Sequence, residues 1–227
     1  MIDIFKKEEK TISVYGADRP GAPVLYLNTF GEEGPQICDL LKQNDCPDFT
    51  LVTIHGLRWD HDMVPWDTAP IMKSGTAYTG GADTYLRLLT EGILPAAEAR
   101  LPQPVSWRAI AGYSLGGLFA LYSLYQTDLF SRAASISGSL WFPGIREYIF
   151  THPMIRRPER LYFSLGDREH KTGNRWLKTV KENTEAIAAF YQEQGIDTLF
   201  QLNPGNHFQD AARRTAAGIR WLLTPIE

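Results

Sequence analysis

A serine set between glycines is the first place where this sequence offers chemistry. Residues 112–116 read Gly-Tyr-Ser-Leu-Gly, which matches the pattern G-x-S-x-G. A strand-like Trp-Arg-Ala-Ile-Ala precedes the pattern, and a helix-like Leu-Gly-Gly-Leu-Phe-Ala-Leu-Tyr follows its serine. In that setting a sharp turn exposes the hydroxyl of Ser114, while Gly112, Gly116 and Gly117 leave room where strand and helix cross. The pattern predicts a nucleophilic serine; a glycine-rich turn that only packs is the alternative.

A nucleophilic serine needs a base, and three histidines follow Ser114 in the chain. In this strand-turn-helix arrangement the base lies on a loop after a later strand. His207 meets that condition, because it follows the last predicted strand in the polar sequence Asn-Pro-Gly-Asn-His-Phe. His152 precedes a proline in a charged region, and His170 sits among charged residues. The chain order therefore predicts His207 as the general base.

Two carboxylates follow the strand predicted over residues 160–165, and either has the chemistry to orient the imidazole. Asp167 lies closer to the strand end, whereas Glu169 is two residues further into the loop and has the longer reach. We favour Glu169 as the acid and keep Asp167 as the second choice. The alternative for both is a solvated turn residue, or an ion pair with Arg168 of little energetic value.

The backbone after the serine supplies a further element of chemistry. The N–H of Leu115 stands at the start of the predicted helix, where the first N–H groups have no partner within the helix. Together with the helix dipole, such a donor stabilises an oxyanion. Leu115 is therefore predicted to form half of an oxyanion hole.

A long segment over residues 56–81 is expected to shape the substrate pocket. It has no clear period and contains prolines, which predicts an irregular surface loop. We expect four residues to line the pocket, although anchoring of Trp59 and Trp66 on the core is an equal alternative. They are Arg58, Trp59 and Trp66 from the loop, and Trp141 from a later segment.

Metal chemistry has little support in the sequence. His61 stands between two aspartates, but no further ligands are spaced around it, and no HExxH pattern occurs. We therefore expect neither a metal nor any other cofactor.

Short apolar runs alternate with stretches of helical period, which is the pattern of an α/β fold with a mostly parallel sheet and helices on both faces. No repeat or linker divides the chain, so residues 1–227 are expected to form a single domain. The strand-turn-helix context of Ser114 predicts that this domain is of the α/β-hydrolase type. Strands are predicted over residues 11–15, 23–27, 49–55, 107–111, 132–137, 160–165 and 198–202. Helices are predicted over residues 35–42, 83–99, 115–125, 176–194 and 210–223.

Composition narrows the class of protein further. The 227 residues carry a net charge of −3 without a basic cluster, which argues against nucleic acid as a partner. No window approaches the roughly 18 apolar residues of a membrane span, and the charged start does not look like a signal peptide. Cys38 and Cys46 lack a disulfide or metal spacing. We expect a cytoplasmic protein that binds a small-molecule ester; its oligomeric state stays open.

The chain also resembles a known family, the esterase D-like branch of the α/β-hydrolases. The motifs that carry the resemblance are Pro-Val-Leu-Tyr-Leu, Ala-Gly-Tyr-Ser-Leu-Gly-Gly, Ser-Gly-Ser-Leu-Trp, Leu-Gly-Asp-Arg-Glu and Asn-Pro-Gly-Asn-His-Phe, in the order that family uses. The Ser-Gly-Ser-Leu-Trp segment is most similar to siderophore esterases. The resemblance implies Ser114 as nucleophile, His207 as base and Glu169 as acid.

Two features bear on that resemblance. Many members have a His-Gly pair after the first parallel strand, where this chain reads Asn28-Thr29-Phe30-Gly31, and the matching position makes Phe30 N–H the expected second oxyanion donor. Some siderophore esterases use a Ser-His dyad without an acid. The resemblance does not extend to the extra N-terminal domain of the cytoplasmic ferric-siderophore esterases, so it leaves the ester unspecified.

These observations predict a serine carboxylesterase that works through an acyl-enzyme on Ser114. An acyltransferase would use the same acyl-enzyme with another acceptor. A catalytically inactive binding domain on the same fold is the third hypothesis, because a fold does not fix a function.

Overall fold

One eight-stranded sheet runs through the protein. The computed structural model describes residues 2–17, 19–71 and 75–226. The strand order is β1-β2-β4-β3-β5-β6-β7-β8. The first three strands in that order pair antiparallel, and all pairs from β4 onward are parallel. The strands are β1 Ile2–Lys7, β2 Lys10–Tyr15, β3 Val24–Asn28, β4 Thr50–His55, β5 Arg108–Tyr113, β6 Arg132–Ile136, β7 Arg160–Gly166 and β8 Asp197–Asn203.

Helices cover both faces of this sheet. On β3, Leu25 and Leu27 pack into the cluster that contains Ile37 and Ile219, while Tyr26 packs into the larger cluster on the other face. A central strand buried on both sides explains why it reads as a continuous apolar run. The α-helices are α1 Gly34–Lys42, α2 Trp59–Asp62, α3 Ala82–Arg87, α4 Leu94–Glu98, α5 Leu115–Ser123, α6 Ile145–Thr151, α7 Val180–Glu193 and α8 Ala211–Leu223.

The α/β class with a mostly parallel sheet is confirmed, and each predicted strand lies within one or two residues of an observed one. Strand β1 was not predicted. It forms an antiparallel edge, and most of its side chains are exposed. Its mixture of isoleucines, lysines and an aspartate lacks the apolar run that marks the buried strands.

The helix predicted over residues 83–99 is interrupted. Between α3 and α4 the turn Leu88–Ile93 is π-helical. Pro95 sits in the first turn of α4, and because proline has no N–H the regular ladder cannot continue through it. A wider turn before the proline lets the segment stay helical.

The segment predicted as an irregular loop has some order of its own. It contains α2 and an antiparallel bridge between Thr68 and Tyr78. Residues 72–74 of this prediction lie outside the described residues. Helix α6 was not predicted either. Within the described part of the chain, no helix has the length and apolarity needed to cross a membrane.

Candidate active site

The turn between β5 and α5 holds Ser114 in a strained conformation. Its φ is 57° and its ψ is −123°, a region that residues with a side chain rarely adopt. A Cβ atom at Gly112 would collide with the backbone of Gly116, so the turn closes only with glycine there. The Ser114 N–H donates to the Ile136 carbonyl at 3.1 Å, and its carbonyl accepts from Ser139 N–H at 3.0 Å. The neighbouring β6 loop thus fixes the serine from both sides.

Three side chains from separate loops meet beside this turn. Ser114 Oγ lies 3.0 Å from His207 Nε2, and His207 Nδ1 lies 2.7 Å from Glu169 Oε2. Ser114, Glu169 and His207 follow β5, β7 and β8. Because these strands are parallel, their carboxyl ends share one edge of the sheet, which brings together residues far apart in sequence.

The two candidate acids have different surroundings. Glu169 is buried, with its side chain 4% exposed, and its Oε1 accepts from Gly166 N–H at 2.6 Å. Asp167 is 45% exposed and accepts from Gly205 N–H at 2.8 Å, with Arg168 at 4.0 Å. The structure therefore brings Glu169 to the imidazole and places Asp167 as a brace between two loops.

Burial acts on the charge of Glu169, but its neighbours act more strongly. Desolvation alone would raise the pKa of this carboxyl. The hydrogen bond and charge of His207, with the Gly166 N–H and the Ser137 hydroxyl, outweigh that effect and lower the pKa below its ordinary value. Glu169 is therefore ionised at neutral pH.

A cavity of about 350 Å³ opens in front of Ser114. Trp59, Phe30 and Phe208 form much of its wall, and Phe30 meets Trp59 edge to face with 5.5 Å between ring centres. Phe30 is 75% exposed and Phe208 is 88% exposed. Among the described residues that line the cavity, Glu33 is the only side chain with a full charge besides the titratable His207. The cavity is therefore suited to an apolar ligand.

Three of the four predicted pocket residues lie elsewhere. Arg58 lines a different cavity and contacts Asp62 at 3.6 Å. Trp66 donates its indole N–H to the Pro143 carbonyl at 2.9 Å and packs against Phe142. Trp141 is also in the core. For Trp66 this is the core-anchor alternative that the sequence left open, and Trp59 alone of the four lines the Ser114 cavity.

The two predicted oxyanion donors lie at the same edge of the sheet as Ser114. Leu115 begins α5 directly after the serine. Phe30 lies in the loop after β3, one residue beyond Thr29, whose own N–H donates to the Ile54 carbonyl. Their role as donors to an oxyanion remains a prediction.

Several residues at the site were not predicted as functional. Phe208 follows His207 directly in the sequence, and this adjacency could have predicted that its ring lies at the cavity. Ser139 Oγ lies 3.3 Å from Ser114 Oγ, and its Ser-Gly-Ser segment was noted only for resemblance. Arg214 contacts Glu169 Oε1 at 3.1 Å; an arginine on a helix gives no sequence sign of burial.

Metal ligation finds no candidate in the described ranges. No group of three or more His, Cys, Asp or Glu side chains is placed to hold an ion there. His61, the one histidine flanked by acids, lies 2.8 Å from the Thr79 hydroxyl through Nδ1.

Comparison with known proteins decides the family. The model of the Esterase family, described as "Putative esterase", matches residues 29–207, most of the chain and every residue of the Ser114–His207–Glu169 cluster. The chain belongs to the Esterase family. It is an enzyme that hydrolyses carboxylic esters.

Individual relatives agree with this assignment. The esterase is 31% identical over 91 residues to the siderophore triacetylfusarinine C esterase of Aspergillus fumigatus, a match over 39% of this chain and 31% of the relative. The siderophore hydrolase EstA from Aspergillus nidulans has a similar structure, with a TM-score of 0.75, 20% identity, and coverage of 98% of this chain and 92% of that one. An IroE-like serine hydrolase from Shewanella oneidensis gives a TM-score of 0.79 and 19% identity, covering 100% of this chain and 81% of that one. These two structures share the α/β-hydrolase fold of the esterase.

Proposed function

We propose that the esterase cleaves its substrate through an acyl-enzyme on Ser114. His207 Nε2 takes the hydroxyl proton as Ser114 Oγ attacks the ester carbonyl, and the same proton leaves with the alcohol. Water, deprotonated by His207, then attacks the acyl group and restores the serine. The observation that carries the proposal is the unbroken contact chain from Ser114 Oγ through His207 to Glu169, at 3.0 and 2.7 Å.

The roles of the surrounding groups follow from the charges in each step. Glu169 holds Nδ1 of the imidazole and stabilises it when it becomes positive. The negative oxygen of the tetrahedral intermediate needs donors, and we assign the N–H groups of Leu115 and Phe30 to it. The resting strain at Ser114 keeps its hydroxyl at the cavity surface instead of folded back into the turn.

The cavity also supports a proposal about the substrate. Its walls are aromatic and aliphatic, and Glu33 gives it a negative charge. An anionic group would lose water there without gaining a cation. We therefore infer a neutral ester with an apolar group beside Phe30 and Phe208. Because two similar proteins are described as a siderophore esterase and a siderophore hydrolase, a siderophore ester is the natural class to test first.

Active-site labelling tests the nucleophile. A fluorophosphonate should add covalently to the wild-type protein at Ser114, as read by intact mass and peptide mapping, and Ser114→Ala should not react. Ser139→Ala is the matched control, since it removes a hydroxyl 3.3 Å away and should still be labelled. A wild-type rate of p-nitrophenyl ester hydrolysis in folded Ser114→Ala would sink the proposal.

Substrate preference is tested separately by comparing kcat/KM for paired esters. Neutral phenyl-bearing esters and triacetylfusarinine C should be turned over better than esters with a carboxylate on the same group. Products formed with added alcohol would reveal transfer to an acceptor other than water.

A further inference from the structure

Arg214 is a buried cation behind the proposed catalytic histidine. It lies in the first turns of α8, and its side chain is 3% exposed. Its Nη1 contacts Glu169 Oε1 at 3.1 Å, while the other carboxylate oxygen contacts His207. The carboxylate is thus shared between one permanent cation and one imidazole that gains and loses a proton.

The guanidinium is held in place by several acceptors. Nη1 also donates to the Ser137 hydroxyl at 3.2 Å, and Nη2 donates to the Pro204 carbonyl at 2.9 Å. The titratable groups that face it are Glu169, the Tyr113 hydroxyl at 3.4 Å and the buried phenol of Tyr162. Burial raises the pKa of Tyr162, so its phenol stays neutral. Burial raises the pKa of Tyr113, so this phenol stays neutral. Glu169 is therefore the anion that compensates the buried charge of Arg214.

We propose that Arg214 is a positioning residue that sets the pH at which the Glu169–His207 pair becomes a working base. This inference rests on the proposed function of Ser114. The pair is coupled, so an added proton belongs to both residues. Wherever that proton sits, the fixed charge of Arg214 opposes it and keeps the pair deprotonated to lower pH.

A second consequence concerns orientation. Arg214 binds Oε1 of Glu169 and so leaves Oε2 directed at His207 Nδ1. The hydrogen bond between Glu169 in the loop after β7 and His207 in the loop after β8 is thereby held in one orientation. Arg214 does not line the Ser114 cavity. Its removal should therefore act on kcat and on the pH profile more than on KM.

The test uses three replacements of this residue. Arg214→Gln keeps an N–H donor without the charge, Arg214→Met removes both, and Arg214→Lys keeps the charge without the planar fork. In the two neutral variants the acid limb of the kcat/KM profile should move to higher pH by about one unit or more. At pH values below the acid limb, kcat/KM then falls about tenfold for each pH unit by which the limb moves. Arg214→Lys should lower kcat but leave the limb near its wild-type position.

Arg160→Met is the matched control. Arg160 is also a buried arginine that binds α8, donating to the Trp221 and Thr224 carbonyls at the opposite end of the helix. Its loss should lower the unfolding temperature without moving the acid limb. That pattern separates an electrostatic effect on the site from simple loosening of α8.

Three results would overturn the inference: an unchanged acid limb in folded Arg214→Gln or Arg214→Met, an equal shift in Arg160→Met, or failure of both neutral variants to fold while the control folds. The last would assign Arg214 a purely structural role. Ser114→Ala is measured alongside. Activity in that variant would remove the proposed function itself, whereas an inactive Ser114→Ala with an unmoved Arg214→Gln limb would remove only the role of Arg214.

Discussion

The two sides of Ser114 are built on opposite principles. Behind His207, Glu169 and Arg214 bring full charges into a region where their side chains are 4% and 3% exposed. In front of the serine, Phe30 and Phe208 expose most of their rings to solvent. Folded proteins usually place phenylalanine inside and leave charged groups in water. Both sides depart from that rule, and both departures lie beside Ser114.

The contrast indicates a division of labour. On the buried side, Glu169 and Arg214 hold opposite charges next to His207, and neither side chain has free surface for a substrate. The open side has little charge and gains its apolar contacts only when a ligand covers it. Changes on the buried side should therefore affect turnover and pH, and changes on the open side should affect which ester is bound.

The largest effect is expected on the buried side. Glu169→Gln should lower kcat by about 10³- to 10⁴-fold, because a neutral amide cannot stabilise the imidazolium and favours the wrong tautomer. Asp167→Asn, in the same loop, should change kcat by less than about threefold. Steady-state kinetics on both variants gives the comparison. A large loss in Asp167→Asn alone would move the acid to Asp167, equal losses would contradict a role for Glu169 alone, and no loss in either would indicate a Ser-His dyad.

On the open side, Phe208→Ala should raise KM for a phenyl-bearing ester by about tenfold, which corresponds to most of the burial energy of one ring. Turnover of an acetate ester should change little. Because Phe208 is exposed, the free energy of unfolding should stay within about 0.5 kcal/mol of wild type. Phe150→Ala, at an exposed ring outside the cavity, is the control; a similar KM change there would show that the effect is not local.

A smaller effect is expected from the cavity's own charge. Glu33→Gln should raise kcat/KM for an anionic ester by about two- to fivefold at low salt, and added salt should reduce the gain. Glu32→Gln removes the neighbouring exposed charge that does not line the cavity. If both variants raise kcat/KM for the anionic ester equally, the position of Glu33 in the cavity wall does not determine selectivity.

A final effect is on stability and depends on pH. A carboxyl whose pKa is lowered by folding stabilises the native state above its unfolded pKa, and this contribution is lost as the pH falls through the native value. The ordinary pKa of Glu169 is 4.5. Urea unfolding should therefore show Glu169→Gln to be less stable than wild type at pH 6, with the difference shrinking below pH 4.5. A constant difference down to pH 3 would contradict this.

The sequence predicted the strands, helices and candidate catalytic residues better than it predicted the residues that line the cavity. The strand-turn-helix context around Ser114 and the chain order of His207 depend on local pattern and topology, and the structure brings both side chains to one contact at 3.0 Å. Their catalytic roles stay predictions. Glu169 was preferred over Asp167 because its longer side chain reaches further, and in the structure Glu169 is the carboxylate that contacts His207, at 2.7 Å.

The pocket was harder to predict because it depends on which face each side chain turns to. Trp66 and Trp59 lie seven residues apart in the same loop and both pack against the core, yet Trp59 also lines the Ser114 cavity and Trp66 does not. Phe30 was singled out for its N–H, and its ring forms part of the wall. Arg214 was missed because only the tertiary structure supplies the acceptors that allow an arginine to be buried.

The distances along the chain between these contacts have a consequence for biosynthesis. Ser114 and His207 are 93 residues apart, and Glu169 and His207 are 38 apart. At a synthesis rate of about 5–20 residues per second, the serine is incorporated roughly 5 to 19 s before its histidine. Under the proposed mechanism, Ser114 has no base until β8 and the loop that carries His207 have been made and have joined the sheet. The proposed mechanism therefore predicts that hydrolysis appears only after β8 has paired with β7.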